Sequence, residues 1–302
     1  MSVNSSQSKS LTLSLSLGRF APSPTGPLHL GSLVAAISSY MIAKQNGAHW
    51  LVRIEDLDPP REVVGATQSI LNSLEDYGLY WDGEVVYQSQ RTEIYRQTLE
   101  KLKQGSFVYR CDCSRKTIER RNGGVYDGYC RKRKISADQE HSLRVKFDDG
   151  FEAFNDQIVG MQSFDSVNDK QDFIIQRRDR LFAYQLAVVA DDLEQGVDHV
   201  VRGMDIIDST PRQNFLYHCL DQPAPEYFHI PLVVDKQGVK FSKRSAAVGL
   251  EKAHAPEFLL RAFSHLNQPV EPSLSDASVD EIMSHYLKYW RTELIQSART
   301  LN

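Results

Sequence analysis

Three groups of residues carry chemistry in their types and spacing. The first is His29, at the end of GRFAPSPTGPLHLGS (residues 18–32). Pro22, Pro24 and Pro27 fix backbone angles in advance, and Gly26 and Gly31 let a ligand or another backbone come close. An apolar helical pattern starts just after the histidine, so unsatisfied N–H groups at the helix start favour an anion. The stretch reads as a preorganised phosphate site with His29 as an added donor. The second group is Lys240, Lys243 and Arg244 in KFSKR, a basic turn that could neutralise charge developing in phosphoryl or nucleotidyl transfer. No G-x-x-x-x-G-K-[ST] sequence occurs, so the phosphate site is not a P-loop. The third is CDCSRKTIERRNGGVYDGYC, where Cys111, Cys113 and Cys130 could converge on a tetrahedral zinc. The cysteines leave a fourth ligand unassigned: Cys219 lies far off in LYHCLD, and no histidine falls between 111 and 130. Asp112, Tyr126 and Tyr129 are candidate oxygen donors close to the cysteines in sequence.

Elements must hold these groups in place. LTLSLSLGRF alternates as a half-buried strand does, and the prolines stop it. SLVAAISSYMIAKQNG puts Leu33, Ile37, Tyr40 and Met41 on one helical face, with Asn46-Gly47 as the stop. AHWLVRIEDLD reads as a second strand and EVVGATQSILNSLEDYG as a helix ending at Gly78. Further on, DFIIQ and HVVRG read as strands, FAYQLAVVADDLEQG and TPRQNFLYHCLD as helices, and IPLVV as a strand leading into the basic turn. Alternating strands and helices indicate a parallel sheet with right-handed crossovers, here a doubly wound α/β fold in two halves. Ligands of such sheets bind beyond the carboxyl ends of the strands, where the His29 loop lies.

Composition bounds the partners. The chain has 302 residues, 35 Lys and Arg against 39 Asp and Glu, and a net charge of −4, so nucleic-acid binding must rest on a local patch. One patch is visible around the cysteines: Arg115, Lys116, Arg120, Arg121, Arg131, Lys132, Arg133 and Lys134 are opposed within that stretch only by Glu119 and Asp127. No apolar run is long enough to span a bilayer and no secretory signal is recognisable, so a cytoplasmic protein without membrane contact is expected. Cysteines in a reducing compartment favour metal over disulfides.

RFAPSPTGPLHLGS resembles the HIGH-type signature of class I aminoacyl-tRNA synthetases in the glutamate and glutamine branch, and KFSKR resembles their KMSKS loop. IEDLD (54–58) and VVRGMDIIDSTPRQ (200–213) are similar to further stretches of that branch. Two departures are visible: Ser32 replaces the motif's second histidine, and KMSKS has Phe241 for Met and Arg244 for the last Ser. The resemblance implies a Rossmann-like catalytic domain that joins an amino acid to ATP, with Mg2+. It places Arg19, Phe20, Ala21, Pro22, Ser23, Glu55, Tyr184 and Arg202 around glutamate, and His29, Gly31, Lys240 and Lys243 around ATP, with His29 and Lys243 stabilising charge at phosphorus. The C-x-C…Y-x-x-x-C pattern is similar to the glutamyl-queuosine tRNA(Asp) synthetase family. That likeness implies Tyr126 as the fourth ligand to a structural Zn2+, with Tyr129 a competitor beside Cys130. It also implies L-glutamate and queuosine-bearing tRNA(Asp) as substrates, activation without tRNA, and a monomer.

The expected organisation is a disordered leader (1–17), a first catalytic half (18–108), a zinc-bearing insertion like an acceptor-binding domain (109–169), and a second half (170–235). The basic loop and a small helical domain follow (236–302). APEFLLRAFSHLNQ and VDEIMSHYLKYWRTEL supply two amphipathic helices there, leaving no room for an anticodon-binding domain. If Lys243 stabilises the transition state, Lys243→Ala slows ATP–pyrophosphate exchange more than it weakens glutamate binding. Unchanged exchange would remove that role.

Overall fold

A computed structural model describes residues 16–148, 151, 153–164, 171–234, 250–297 and 300–301. The main sheet grows from β1 (Leu17–Phe20), β2 (His49–Ile54) and β3 (Val86–Tyr87) on one side, and β9 (His199–Gly203) and β10 (Glu226–Ile230) on the other. With β6 (Ala153–Asp156) and β7 (Gly160–Ser163), the strand order is β3-β2-β1-β9-β10-β6-β7. All pairings are parallel except β6 with β7. β1 therefore lies between the two halves of the sheet, with β2 and β9 as its neighbours.

The crossover after β1 is α1 (Leu30–Gln45), followed by α2 (Ala66–Asp76) and α3 (Thr92–Gln104); α5 (Tyr184–Gln195) and α6 (Thr210–Cys219) serve the second half. The sequence predicts one apolar face on α1, but Val34, Ala36, Ser38 and Ile42 are buried as well. The cause is α7 (Ala255–His265) and α8 (Val279–Tyr289), which cover its far side. Polar groups inside α1 are satisfied: Ser38 Oγ donates to the Val34 carbonyl at 2.8 Å, and Ser39 Oγ accepts from Trp50 Nε1 at 3.0 Å. Phe20 and Tyr40 pack on the Trp50 ring, stacked and edge-on. α7 and α8 close on each other through Phe263 and Tyr286 and join the same core.

A separate antiparallel sheet joins β4 (Val108–Cys111), β5 (Ser142–Val145) and β8 (Phe173–Gln176), with α4 (Arg115–Asn122) between the first two. DFIIQ therefore belongs to this small sheet and not to the second half of the parallel one. Its pairing with β5, broken by a register shift at Leu143/Arg144, decides its place. Conversely β6 and β7, expected within the insertion, extend the main sheet because Asp156 pairs in register with Tyr227 of β10. Leu17, assigned to the leader, is already in β1, and Ser16 Oγ donates to Asp198 at 3.0 Å. Residues 1–15 lie outside the described residues. The pairing of β11 (Leu232–Val233) with β12 (Thr300–Leu301) brings the chain's last strand beside the segment that follows β10.

The contact between the two halves is tight at Gly18, where a Cβ would lie 2.2 Å from His199 Nε2. His199 is itself held by Asp198 at 2.6 Å, so the ring has little room to retreat. Gly18→Ala is expected to lower stability by ~1–3 kcal/mol, seen as a lower urea midpoint with an unchanged slope. An unchanged midpoint would show that β1 and β9 do not need this close approach.

Candidate active site

The carboxyl ends of β1, β2 and β9 deliver Arg19, Glu55 and Arg202 to one region, and the first turn of α5 adds Tyr184. Arg19 is 3% exposed and makes two hydrogen bonds to Asp192, from Nε at 3.2 Å and Nη2 at 3.3 Å. Asp192 also faces Arg53 Nη2 at 2.7 Å, and the adjacent Asp191 receives Arg91 Nε at 2.5 Å, Gln88 at 2.7 Å and the Tyr95 hydroxyl at 2.9 Å. Burial alone would push the Asp192 carboxyl up, but Arg19 and Arg53 hold it below its ordinary value. Asp192 thus stays ionised inside the protein.

Glu55 differs. It retains some exposed surface, yet desolvation pushes its carboxyl from 4.5 to about 7 against the pull of Arg53 and Arg19. Tyr184 feels Glu55, Arg202 and Arg19, so these four groups share one electrostatic neighbourhood. Its phenol is raised, chiefly by burial. An acid beside arginines and a tyrosine suits a ligand with both carboxylate and ammonium groups.

Arg202 is 6% exposed and fully oriented. Its Nε donates to His229 Nε2 at 2.9 Å, Nη1 to Gln213 Oε1 at 2.7 Å and Nη2 to Thr210 Oγ1 at 2.7 Å. Gln213 in turn donates to Gln185 at 2.9 Å.

The rigid loop between β1 and α1 is fixed by backbone bonds from Glu55 to the Pro22 carbonyl and from Val63 to the Pro24 carbonyl, each 3.0 Å. Gly26 adopts φ 139°, a conformation that a side chain would oppose. His29 is the N-cap of α1, with Nδ1 accepting from the Ser32 N–H at 3.3 Å. The neutral ring then carries its proton on Nε2, as a donor beside the helix N-terminus.

In the small sheet, the sulfurs of Cys111, Cys113 and Cys130 lie within 4.8 Å of one another, and Cys113 and Cys130 are 3.5 Å apart. Thiolates around zinc at about 2.3 Å stand roughly 3.8 Å apart in a tetrahedron, so the cluster has a suitable size. The Tyr126 hydroxyl accepts from the Cys130 N–H at 3.0 Å and is buried with the cluster. Tyr129 points elsewhere: it is 43% exposed, with the Arg121 and Arg133 guanidinium groups 3.7 and 4.8 Å from its ring centre. Asp112 Oδ1 is 3.4 Å from Cys130 Sγ and pairs with Arg133 at 2.6 Å. Cys219 is half-buried in α6, and burial pushes its thiol up to about 12.

The family model of the catalytic domain of class I tRNA synthetases (E and Q) matches residues 17–261. The chain belongs to this synthetase family. It is 47% identical to the glutamyl-Q tRNA(Asp) synthetase of Vibrio vulnificus over 91% of this chain and 89% of that one. With the relative of the same name from Escherichia coli K12 it shares 44% over 97% and 95%. Among solved structures, a glutamate-tRNA synthetase from Elizabethkingia anophelis superposes with TM-score 0.78 at 25% identity, covering 94% of this chain and 67% of that one.

In this synthetase the residues expected around the amino acid divide. Arg19, Glu55, Tyr184 and Arg202 come together, whereas the Phe20 ring packs on Trp50, Ala21 and Pro22 are half-buried, and Ser23 is exposed in the loop. His29 and Gly31 lie at the start of α1; Lys240 and Lys243 lie outside the described residues. Leu250, just past that segment, donates its N–H to the Leu28 carbonyl at 3.4 Å, one residue from His29. Sequence reasoning missed Asp192 and Arg53, whose signal was two adjacent acids inside the apolar LAVVADDL. It also missed His229 and Asp156, which nothing in EYFHI or AFND marked. The basic run is less unopposed than its sequence suggests: Arg131 pairs with Asp172, Arg133 with Asp112 and Arg121 with Asp127, while Arg115, Lys116, Arg120, Lys132 and Lys134 stay exposed.

Glu55 gives a pH signature. Between pH 4.5 and about 7 the folded chain keeps a proton that the unfolded chain releases, so this group makes stability fall as pH rises through that window and level off above it. Glu55→Gln removes the fall, so the variant gains stability relative to the parent from about pH 5 to about pH 8 in urea titrations. A constant difference across that range would show that Glu55 titrates normally.

Proposed function

We propose that this chain activates glutamate with ATP, without tRNA, and transfers it to the queuosine base at the wobble position of tRNA(Asp). The reading rests on the grouping of Arg19, Glu55, Tyr184 and Arg202 beside a histidine-capped helix, in a chain whose relatives carry the name glutamyl-Q tRNA(Asp) synthetase. Arg19 and Arg202 bind glutamate carboxylate, with Ser23 adding a polar contact from the loop, and ionised Glu55 pairs with the ammonium. Glutamate's α-carboxylate attacks the α-phosphate of ATP, a P–O bond forms, and pyrophosphate leaves with its electron pair. His29 Nε2–H, the N–H groups of the first turn of α1 and Lys243 stabilise the negative charge at phosphorus. Lys240 adds a phosphate contact, and Mg2+ accompanies ATP. A hydroxyl of the queuosine cyclopentene-diol then attacks the activated carbonyl, giving the ester and releasing AMP.

Cys111, Cys113, Tyr126 and Cys130 hold one structural Zn2+ in this reading. The donor set supports it, and Tyr126 is better placed than Tyr129. The ion would fix β4 against the turn at 126–130, leaving the exposed lysines and arginines to meet RNA phosphates. A monomeric state and a cytoplasmic location complete the proposal. No described helix is long and apolar enough to cross a membrane.

The deciding experiment supplies labelled glutamate and ATP with tRNA from cells that make queuosine and from cells that cannot. Label confined to the first pool is expected. Equal label on both would place the ester on an ordinary nucleotide, as in a glutamyl-tRNA synthetase, and overturn the acceptor proposed here.

A further inference from the structure

We propose that His229 and Asp156 are positioning residues for glutamate binding, acting through Arg202. This inference rests on the reading of Arg202 as a carboxylate ligand. His229 sits in β10 and Asp156 ends β6, both with fully buried side chains, and neither belongs to a motif around the ligand groups. His229 Nδ1 lies 2.6 Å from Asp156 Oδ2, while its Nε2 lies 2.9 Å from Arg202 Nε.

Only one arrangement of protons satisfies this chain. Arginine offers donors and no acceptor, so His229 Nε2 must be unprotonated and the ring proton sits on Nδ1, aimed at the carboxylate. Asp156 is equally committed, since it also accepts the backbone N–H groups of Ile158 at 2.9 Å, Val159 at 3.0 Å and His229 itself at 3.1 Å. Burial keeps His229 below its ordinary pKa, in agreement with a neutral ring. The carboxylate therefore fixes the tautomer, the tautomer supplies the acceptor, and the acceptor sets the rotation of the guanidinium. Gln213 and Thr210 take one N–H from each terminal nitrogen. One N–H on each remains to meet a carboxylate as a pair. The Tyr227 ring supports the plane, 5.0 Å from the guanidinium carbon and stacked on His229. Lysine at 202 could not be aimed in this way, because an ammonium has no fixed plane.

The test is ATP–pyrophosphate exchange with the full chain, measuring KM for glutamate and for ATP separately. His229→Leu removes the acceptor and is expected to raise the glutamate KM by roughly tenfold or more, leaving the ATP KM within about twofold. His229→Gln, whose Oε1 can accept from Arg202, recovers most of the loss. In an Arg202→Ala background, His229→Leu adds nothing further, because the two act as one unit. If His229→Leu does not fold, Asp156→Asn carries the same expectation on a smaller scale, since a single amide oxygen cannot replace a carboxylate among these donors.

The outcomes separate two failures. An Arg202→Ala variant with unchanged glutamate KM would remove Arg202 from the ligand site, and with it the basis of this inference. A raised glutamate KM in Arg202→Ala, together with normal values in His229→Leu or equal rises in both KM values without rescue by glutamine, would overturn only the positioning role.

Discussion

The buried ion network of Arg19, Arg53, Arg91, Asp191 and Asp192 is the constraint around which the molecule is arranged. Arg53 and Asp191 have no exposed side-chain surface, so neither charge can be left to water. A pair of this kind adds little to net stability compared with apolar packing, but loss of one partner strands the other at a cost of about 3–5 kcal/mol. The network therefore acts as a specification more than a source of stability. β1 brings one arginine, β2 another and α5 both acids, so these elements have one acceptable arrangement. Arg19 inherits its place in the site from it, and Glu55 follows Arg53 by two residues on the same strand end.

Placement of charge then explains the two ends of the site. At one end, prolines and a histidine cap fix a helix N-terminus, which favours negative charge without needing any side chain to move. At the other, the guanidinium groups of Arg19 and Arg202 are already oriented by hydrogen bonds before a ligand arrives. Little side-chain entropy is left to lose on binding. Glu55 is the exception, held near neutrality by desolvation. A cationic group arriving beside it would restore its charge, so substrate binding and proton release are linked there.

Much of this was legible in the sequence, and the exceptions share a cause. The loop, α1 and β2 follow from proline positions, helical periodicity and alternation, all local signals. Arg19, Glu55 and Arg202 lie in stretches with recognisable motifs. What could not be read was pairing at a distance: Phe173–Gln176 has the pattern of a buried strand, but only its contacts with β5 say which sheet it enters. Ala153–Asp156 and Gly160–Ser163 have too mixed a pattern to mark an edge of the main sheet. His229 looks like one polar residue in an ordinary strand until Asp156 and Arg202 are beside it. Buried polar partners from separate elements leave no periodic trace.

The strand order has a consequence for how the chain is made. Arg19 and Asp192 are 173 residues apart, and β1 pairs with β2 on one side and β9 on the other. Synthesis runs from the N-terminus, so β1, α1 and β2 leave the ribosome long before α5, with the whole cysteine-bearing sheet in between. During that interval two arginines destined for the interior lack their acids, and β1 lacks a neighbour along one edge. The N-terminal half thus cannot complete its ion network or its sheet until that distant helix and β9 have been made. Such non-local closure makes for slow folding, and the cysteine-bearing sheet must take shape as a loop within it.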